Sequence, residues 1–362
     1  MSGKENSRPA SRARKDADGA VFINGGDTAA DVNRIATAYH LYTEEDLGKK
    51  LVYVEASRGC VYGCEFCCGS SGRGGRQPVR EFPLEPFLED MDMLIKKGGR
   101  QFKFLDRSFN LNTERAGRIM EFFLERINAP GFSAGDKTRK ERLCVHFEMV
   151  PSRFPPELRE LIRRFPPGSL RLELGIQTFN PETAALVHRR SDPAAETETL
   201  EFLHRETNAV VHADLIAGLP GEDLSSFGRG FDRLWQALTT AARETPFEIQ
   251  PGTLKCLPGT PIARHNEAFG MRYSGEPPYE LIESGSLCAE EFGKIKNFAR
   301  FWETIVNRNP FPDLLPRLLP PGKPVFGKFM FLSEKLLGKF GRNWGIGREE
   351  LRLFLETYKD EL

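Results

Sequence analysis

Leu51-Val-Tyr-Val-Glu-Ala-Ser57, running through Arg58-Gly59 into Cys60-Val-Tyr-Gly-Cys64-Glu-Phe-Cys67, is the stretch on which the reading of this chain turns. Its first seven residues are apolar and β-branched and predict a strand; the glycine-rich Gly69-Ser-Ser-Gly-Arg-Gly-Gly75 behind them predicts a permissive loop. A strand thus delivers three thiols, spaced Cys-x3-Cys-x2-Cys, into one short segment. Thiolate is the soft ligand that iron–sulfur clusters require. Three of them fill three corners of a [4Fe–4S] cube and leave the fourth iron open to another molecule. A structural zinc site wants four ligands, usually in two pairs. No second pair exists, because Cys144, Cys256 and Cys288 lie far apart and the six histidines are scattered. Cys68 adjoins Cys67, so its side chain is expected to point away from that of its neighbour.

Composition narrows the setting. The 362 residues carry 51 Lys and Arg against 51 Asp and Glu, a net charge of zero that predicts no nucleic-acid footprint. No apolar run reaches the roughly 18 residues of a membrane span. Seven cysteines behind a polar start, Met1-Ser-Gly-Lys-Glu-Asn6, predict a reducing, cytoplasmic environment. The final Lys359-Asp-Glu-Leu362 matches a retention address, but with no apolar leader it is expected to be the charged end of a helix. Residues 1–30 are too polar to bury a core and predict a disordered tail, followed by a lead-in segment over 31–50.

From Leu51 onward strand-like and helix-like segments alternate. Strands are predicted at Leu51–Ser57, Gln101–Asp106, Leu143–Val150, Ser169–Phe179, Ala209–Leu219 and Phe247–Leu257. Between them, helical spacing recurs at Phe87, Leu88, Met91, Leu94 and Ile95, and again at Phe227, Phe231, Leu234, Trp235 and Leu238. Six βα units imply a parallel sheet with right-handed crossovers. That is too few for an eight-stranded barrel, so an open α/β partial (β/α)6 TIM-like barrel is expected over 51–265. Residues 266–362 are expected to be a mainly helical C-terminal region. Within it Phe329, Met330, Leu336, Leu337 and Phe340 form an apolar face beside Lys328, Lys335 and Lys339. This predicts a helix packed on the barrel with a solvated lysine face, in preference to a membrane-surface helix.

Further segments in register with the cysteines resemble the radical S-adenosylmethionine (SAM) superfamily. Ala213-Asp-Leu-Ile-Ala-Gly-Leu-Pro-Gly-Glu222 ends the fifth strand, and Gln250-Pro-Gly-Thr-Leu-Lys-Cys-Leu-Pro-Gly-Thr-Pro261 follows on the sixth. Glu173-Leu-Gly-Ile-Gln177 with Arg189 is similar to the oxygen-independent coproporphyrinogen oxidase branch of that family. The resemblance implies a [4Fe–4S] cluster on Cys60, Cys64 and Cys67, with SAM chelated at the open iron. It also implies reductive cleavage of SAM to a 5′-deoxyadenosyl radical, fed by a flavodoxin- or ferredoxin-type electron donor. By position, SAM contacts are implied for Phe66, Asp106, Glu148, Gln177, Arg189 and Asp214, with Arg190 an alternative to Arg189. Asp106 has a competing role as a cap for the helix that starts near Asn112. No substrate-side catalytic residue is named. Relatives that keep a cluster as tetrapyrrole-binding chaperones supply an alternative function.

Glu55-Ala-Ser-Arg-Gly-Cys60, Asp106-Arg-Ser-Phe-Asn-Leu-Asn112 and Tyr39-His-Leu-Tyr-Thr-Glu-Glu-Asp46 resemble, more closely, family members that carry a cobalamin-binding domain, methyltransferases among them. The 50 residues before Leu51 do not accommodate such a domain and contain no Asp-x-His-x-x-Gly signature. Cobalamin is therefore a possible cofactor without a binding domain in this chain, and a truncated relative that relies on a separate cobalamin protein is a further alternative.

Overall fold

Six parallel strands lie side by side in chain order: β1 Val52–Val54, β2 Gln101–Phe104, β3 Cys144–Met149, β4 Leu170–Gln177, β5 Val210–Ala217 and β6 Phe247–Thr253. The computed structural model describes residues 31–70, 78–129, 142–241 and 245–358, plus the backbone of a short antiparallel pair, Arg14–Lys15 with Val21–Phe22. The rest of the tail expected over 1–30, and the terminal 359–362, lie outside the described residues.

Helices make the crossovers. α1 Glu44–Lys49 leads into β1, and α2 Leu84–Lys96, α3 Thr113–Ile127 and α4 Pro156–Arg163 follow β1, β2 and β3. α5 Pro181–Leu186 and α6 Pro193–Glu206 together join β4 to β5, and α7 Leu224–Thr239 precedes β6. The alternation along β4 explains the layering. Leu170, Leu172, Leu174 and Ile176 are fully buried, whereas Arg171, Glu173, Gly175 and Gln177 are only partly so. Period-two side chains therefore send one apolar row against the helices and one polar row into the lumen. Under β2 and β3 the apolar layer is aromatic, with Phe104 and Phe147 centroids 4.5 Å apart and Phe109 stacked on Phe147 at 4.1 Å.

All six strands are shorter than the sequence predicts, β1 and β6 the most. β1 stops at Val54 because the backbone N–H of Ala56 is taken by the Asp106 carboxylate at 2.9 Å. Ser57–Arg58 then pairs with Arg80–Glu81 instead. β6 stops at Thr253 because the chain turns to a new partner, the Cys256 N–H donating to the Tyr279 carbonyl at 2.9 Å. The exit of β5 needs its glycine: Gly218 has φ +89°, and a side chain there would run into Leu281.

β1 and β6 are the two ends of the sheet, so the barrel is open. Beyond it come α8 Ala289–Trp302, a π-helical turn Glu303–Asn307, α9 Leu315–Leu318, α10 Phe326–Phe340 and α11 Arg348–Tyr358. The apolar face of α10 packs on α8, with Phe329 5.0 Å from Phe298 and 4.9 Å from Trp302 between ring centroids. The free edge of β6 is closed by one side chain. Asn307 accepts from the Ile249 N–H at 3.1 Å and donates to the Ile249 carbonyl at 3.0 Å, as a neighbouring strand would.

Candidate active site

The cysteine row leaves the carboxyl end of β1 as a tight turn, the Cys67 N–H donating to the Cys64 carbonyl at 3.1 Å. Cys64 is buried, Cys60 and Cys67 are half-buried, and Cys68 is exposed. All three thiols expected as ligands border one cleft of about 750 Å³, counting its open mouth. Donors already reach the sulfurs: Gly69 N–H to Cys67 Sγ at 3.3 Å, the Tyr62 backbone and Ser108 to Cys60, and Arg189 to Cys64. Burial pushes the Cys60 and Cys64 thiols up. Among the described residues, no three His, Cys, Asp or Glu side chains are set to bind one ion. The donor set at the cleft, three thiols each met by an N–H or O–H group, is the chemistry that an iron–sulfur cluster uses.

The far wall comes from β3, β4 and the segment after α5. Gln177 closes β4 at φ +68°, a left-handed conformation rare outside glycine. Gly175 makes room for it, since a Cβ there would sit 2.6 Å from the Gln177 amide nitrogen. Arg189 turns back onto the same strand, donating from Nε to the Ile176 carbonyl at 3.1 Å and from Nη2 to that of Gly175. Arg190 also borders the cleft but is exposed. Glu148, on β3, lines it beside Arg107, 3.4 Å away. Burial raises the Glu148 carboxyl to about 7, and Arg107 only partly offsets this.

Phe66 joins the cleft lining, so Phe66, Glu148, Gln177 and Arg189 meet the three thiols there. Asp106 and Asp214 do not border it. Asp106 is buried behind the cysteine loop, accepting from Ala56 N–H and, at 2.6 Å, from the Ser57 hydroxyl; burial raises its carboxyl to about 6. It does not cap α3. Asn112 does, its side chain accepting from the Arg115 N–H at 3.2 Å.

Asp214 belongs to a network along the lumen. His212 lies 3.2 Å from Asp214 and 3.2 Å from Glu248, and bonds to Gln250 at 2.8 Å. Arg171 reaches Glu248 at 2.9 Å, and Lys103 reaches Glu173 at 3.0 Å. Burial opposes a charge on His212, but the two carboxylates outweigh it and push its pKa to about 10. Glu173 and Glu248 are held down to about 2, chiefly by the imidazoles beside them, His146 3.2 Å from Glu173 and His212 3.2 Å from Glu248. The lumen row thus holds two groups of paired charges, one around Glu173 and one around His212. The sequence signals it only as charged residues at alternate positions of predicted strands, which read equally well as a solvent face.

A family model for the Radical SAM superfamily matches residues 54–234. The chain belongs to the radical SAM superfamily. A [4Fe–4S] cluster and SAM are the cofactors of that family, and the parallel six-stranded sheet with its thiols at the carboxyl end agrees with them. The chain is 25% identical over 196 residues to the ribosomal protein uS12 methylthiotransferase RimO of Porphyromonas gingivalis strain W83, covering 51% of this chain and 42% of that protein. It is 26% identical over 294 residues to a tRNA-2-methylthio-N(6)-dimethylallyladenosine synthase of Nitratidesulfovibrio vulgaris strain Hildenborough, covering 77% of this chain and 62% of that one. The chain therefore spans less than two-thirds of either curated relative. Among solved structures, the cobalamin-dependent SAM radical enzyme OxsB superposes with a TM-score of 0.56 at 14% identity, over 96% of this chain and 55% of that one. That likeness speaks for the fold. No described helix is long and apolar enough to cross a membrane.

Proposed function

We propose that this chain is a radical SAM enzyme that modifies its substrate by methyl or methylthio transfer, with Cys60, Cys64 and Cys67 as the cluster ligands. The observation that carries the reading is the sharing of one cleft by these thiols with Gln177, Glu148 and Arg189. The chemistry that a bound cluster and SAM supply is one-electron cleavage of the sulfonium. The chain's own residues bind and orient. Arg189, braced on two β4 carbonyls, presents a fixed guanidinium for a carboxylate. Gln177 both donates and accepts. Glu148, with a pKa near neutrality, takes a ribose hydroxyl in either protonation state, and Phe66 offers a ring face. Asp106 acts from behind by holding the exit of β1, and Asp214 acts through the lumen network.

The transfer class rests on the relatives, since methylthiotransferases and a tryptophan 2-C-methyltransferase of Streptomyces laurentii are among the proteins the chain resembles. An external one-electron donor of flavodoxin or ferredoxin type completes the reaction. The test is anaerobic reconstitution, then incubation with SAM and a chemical reductant, with and without added cobalamin. 5′-Deoxyadenosine with methionine supports the reading; S-adenosylhomocysteine that appears only with cobalamin identifies the methyl-transfer branch. Failure to cleave SAM, together with tight porphyrin binding, replaces it with the tetrapyrrole-chaperone function.

A further inference from the structure

Between Cys64 and Cys67 stands Glu65, a residue with no part in the chemistry described so far. Its side chain is 4% exposed and is met by three cationic or donor groups from elsewhere. Arg264 approaches with Nε 2.8 Å from one carboxylate oxygen and Nη2 2.8 Å from the other. His265 Nε2 lies 2.7 Å away and His188 Nδ1 2.8 Å away. The Glu65 backbone N–H donates to the Val187 carbonyl at 3.1 Å. One residue of the cysteine turn is therefore held at both its main chain and its side chain.

The origin of these partners gives the arrangement its meaning. Arg264 and His265 belong to the short 3-10 turn Pro261–His265 that follows β6, and the cysteine row follows β1. β1 and β6 are the two ends of the sheet, which share no ladder. His188 and Val187 add a third point, at the end of α5 and next to Arg189. An ion pair this buried demands close geometry, because an uncompensated carboxylate would carry its full desolvation cost. The turn that sets the directions of the Cys64 and Cys67 side chains is thereby registered to the far side of the barrel.

We propose that Glu65 is a positioning residue that clamps the cysteine row across the open side of the barrel, so that retention of the cluster depends on Arg264 and His265. This rests on the assignment of Cys60, Cys64 and Cys67 as ligands. Contacts that orient metal ligands are commonly worth about tenfold to a hundredfold in metal retention.

The test compares the unaltered chain with Glu65→Gln, Arg264→Gln and the double variant, all loaded anaerobically with iron and sulfide. Iron release to a chelator, followed by loss of the brown absorbance, is measured beside the electron paramagnetic resonance spectrum of the reduced cluster. Each single variant is expected to release iron at least about tenfold faster with an altered spectrum, and the double variant to be no worse than the poorer single one. Release rates and spectra equal to those of the unaltered chain would overturn the clamp. If Glu65→Gln fails to fold, Arg264→Gln decides alone, because that side chain is 53% exposed and its loss leaves no buried cation. A chain that retains no cluster when unaltered would overturn the ligand assignment itself, and the clamp with it.

Discussion

The guanidinium of Arg189 donates from Nε to the carbonyl oxygen of Ile176 across 3.1 Å, tying the segment after α5 to the last turn of β4. The same group reaches Cys64, so one side chain spans the two walls of the cleft. Lysine cannot reproduce this fork. Arg189→Lys is expected to cost about 1.5–3 kcal/mol, or roughly tenfold to a hundredfold in the Kd for SAM. Calorimetry on cluster-loaded protein reads this directly, and an unchanged Kd would remove Arg189 from the SAM site.

The thiols carry a separable prediction. Cys64→Ala should abolish the brown absorbance of the reconstituted protein, whereas Cys68→Ala, at an exposed position, should leave it intact. Iron and sulfide analysis of both variants checks this, and loss of colour in Cys68→Ala would contradict the ligand set.

Glu148 makes the cleft pH-sensitive. Its carboxyl is raised from about 4.5 to about 7 by burial, so the folded chain holds this proton more tightly than the unfolded one. The resulting cost is absent below the unfolded value, grows as pH rises towards 7, and is complete above it. Glu148→Gln should therefore melt at a higher temperature than the unaltered chain at pH 8 and at nearly the same temperature at pH 4. Parallel melting curves across that range would refute the assignment.

His212 behaves in the opposite sense. Its pKa is raised to about 10 despite burial, through Asp214 and Glu248. The stability it contributes is fully present below about 6.5 and is lost as pH rises through 10. His212→Gln leaves the two carboxylates facing each other. Because these side chains are partly exposed, a cost of about 1–3 kcal/mol is expected near neutrality, shrinking at alkaline pH. Urea midpoints at pH 7 and pH 10 measure the difference.

Asn307 lends itself to a simple substitution. Asn307→Ala removes both bonds to Ile249, whose backbone is otherwise at the sheet edge. A loss of about 1–3 kcal/mol in unfolding free energy is expected, read from chemical denaturation. A loss within error would show that water replaces the amide.

What the sequence disclosed followed from local pattern. Leu170 to Ile176 alternate with Arg171 to Gln177, and period two is a property of neighbours, so the strands and their order were legible. So was the cysteine turn, whose three thiols lie within eight positions of one another. Contacts made across the barrel left no such trace. Glu65 and its partners Arg264 and His265 are 199 and 200 residues apart, and nothing near Glu65 marks it as other than a solvated charge. Asp106 is a subtler case. Its place at the end of β2 suggested either a SAM contact or a helix cap, but its partners are Ala56 and Ser57, reached only because β1 lies alongside. The lumen network was hidden for the same reason: the charges were visible, but not that they face one another.

The Asn307 amide has one more consequence. At the free edge of β6, Asn307 occupies the N–H and carbonyl of Ile249, and the elements that carry it pack over the strand. A chain cut between the barrel and α8 would keep every strand and helix of the (β/α)6 unit yet present an open row of backbone donors and acceptors along β6. Such a fragment would have a ready means of self-assembly, each copy adding its edge to the next. In the whole fold the helical region covers that edge, with Asn307 standing where a pairing strand would.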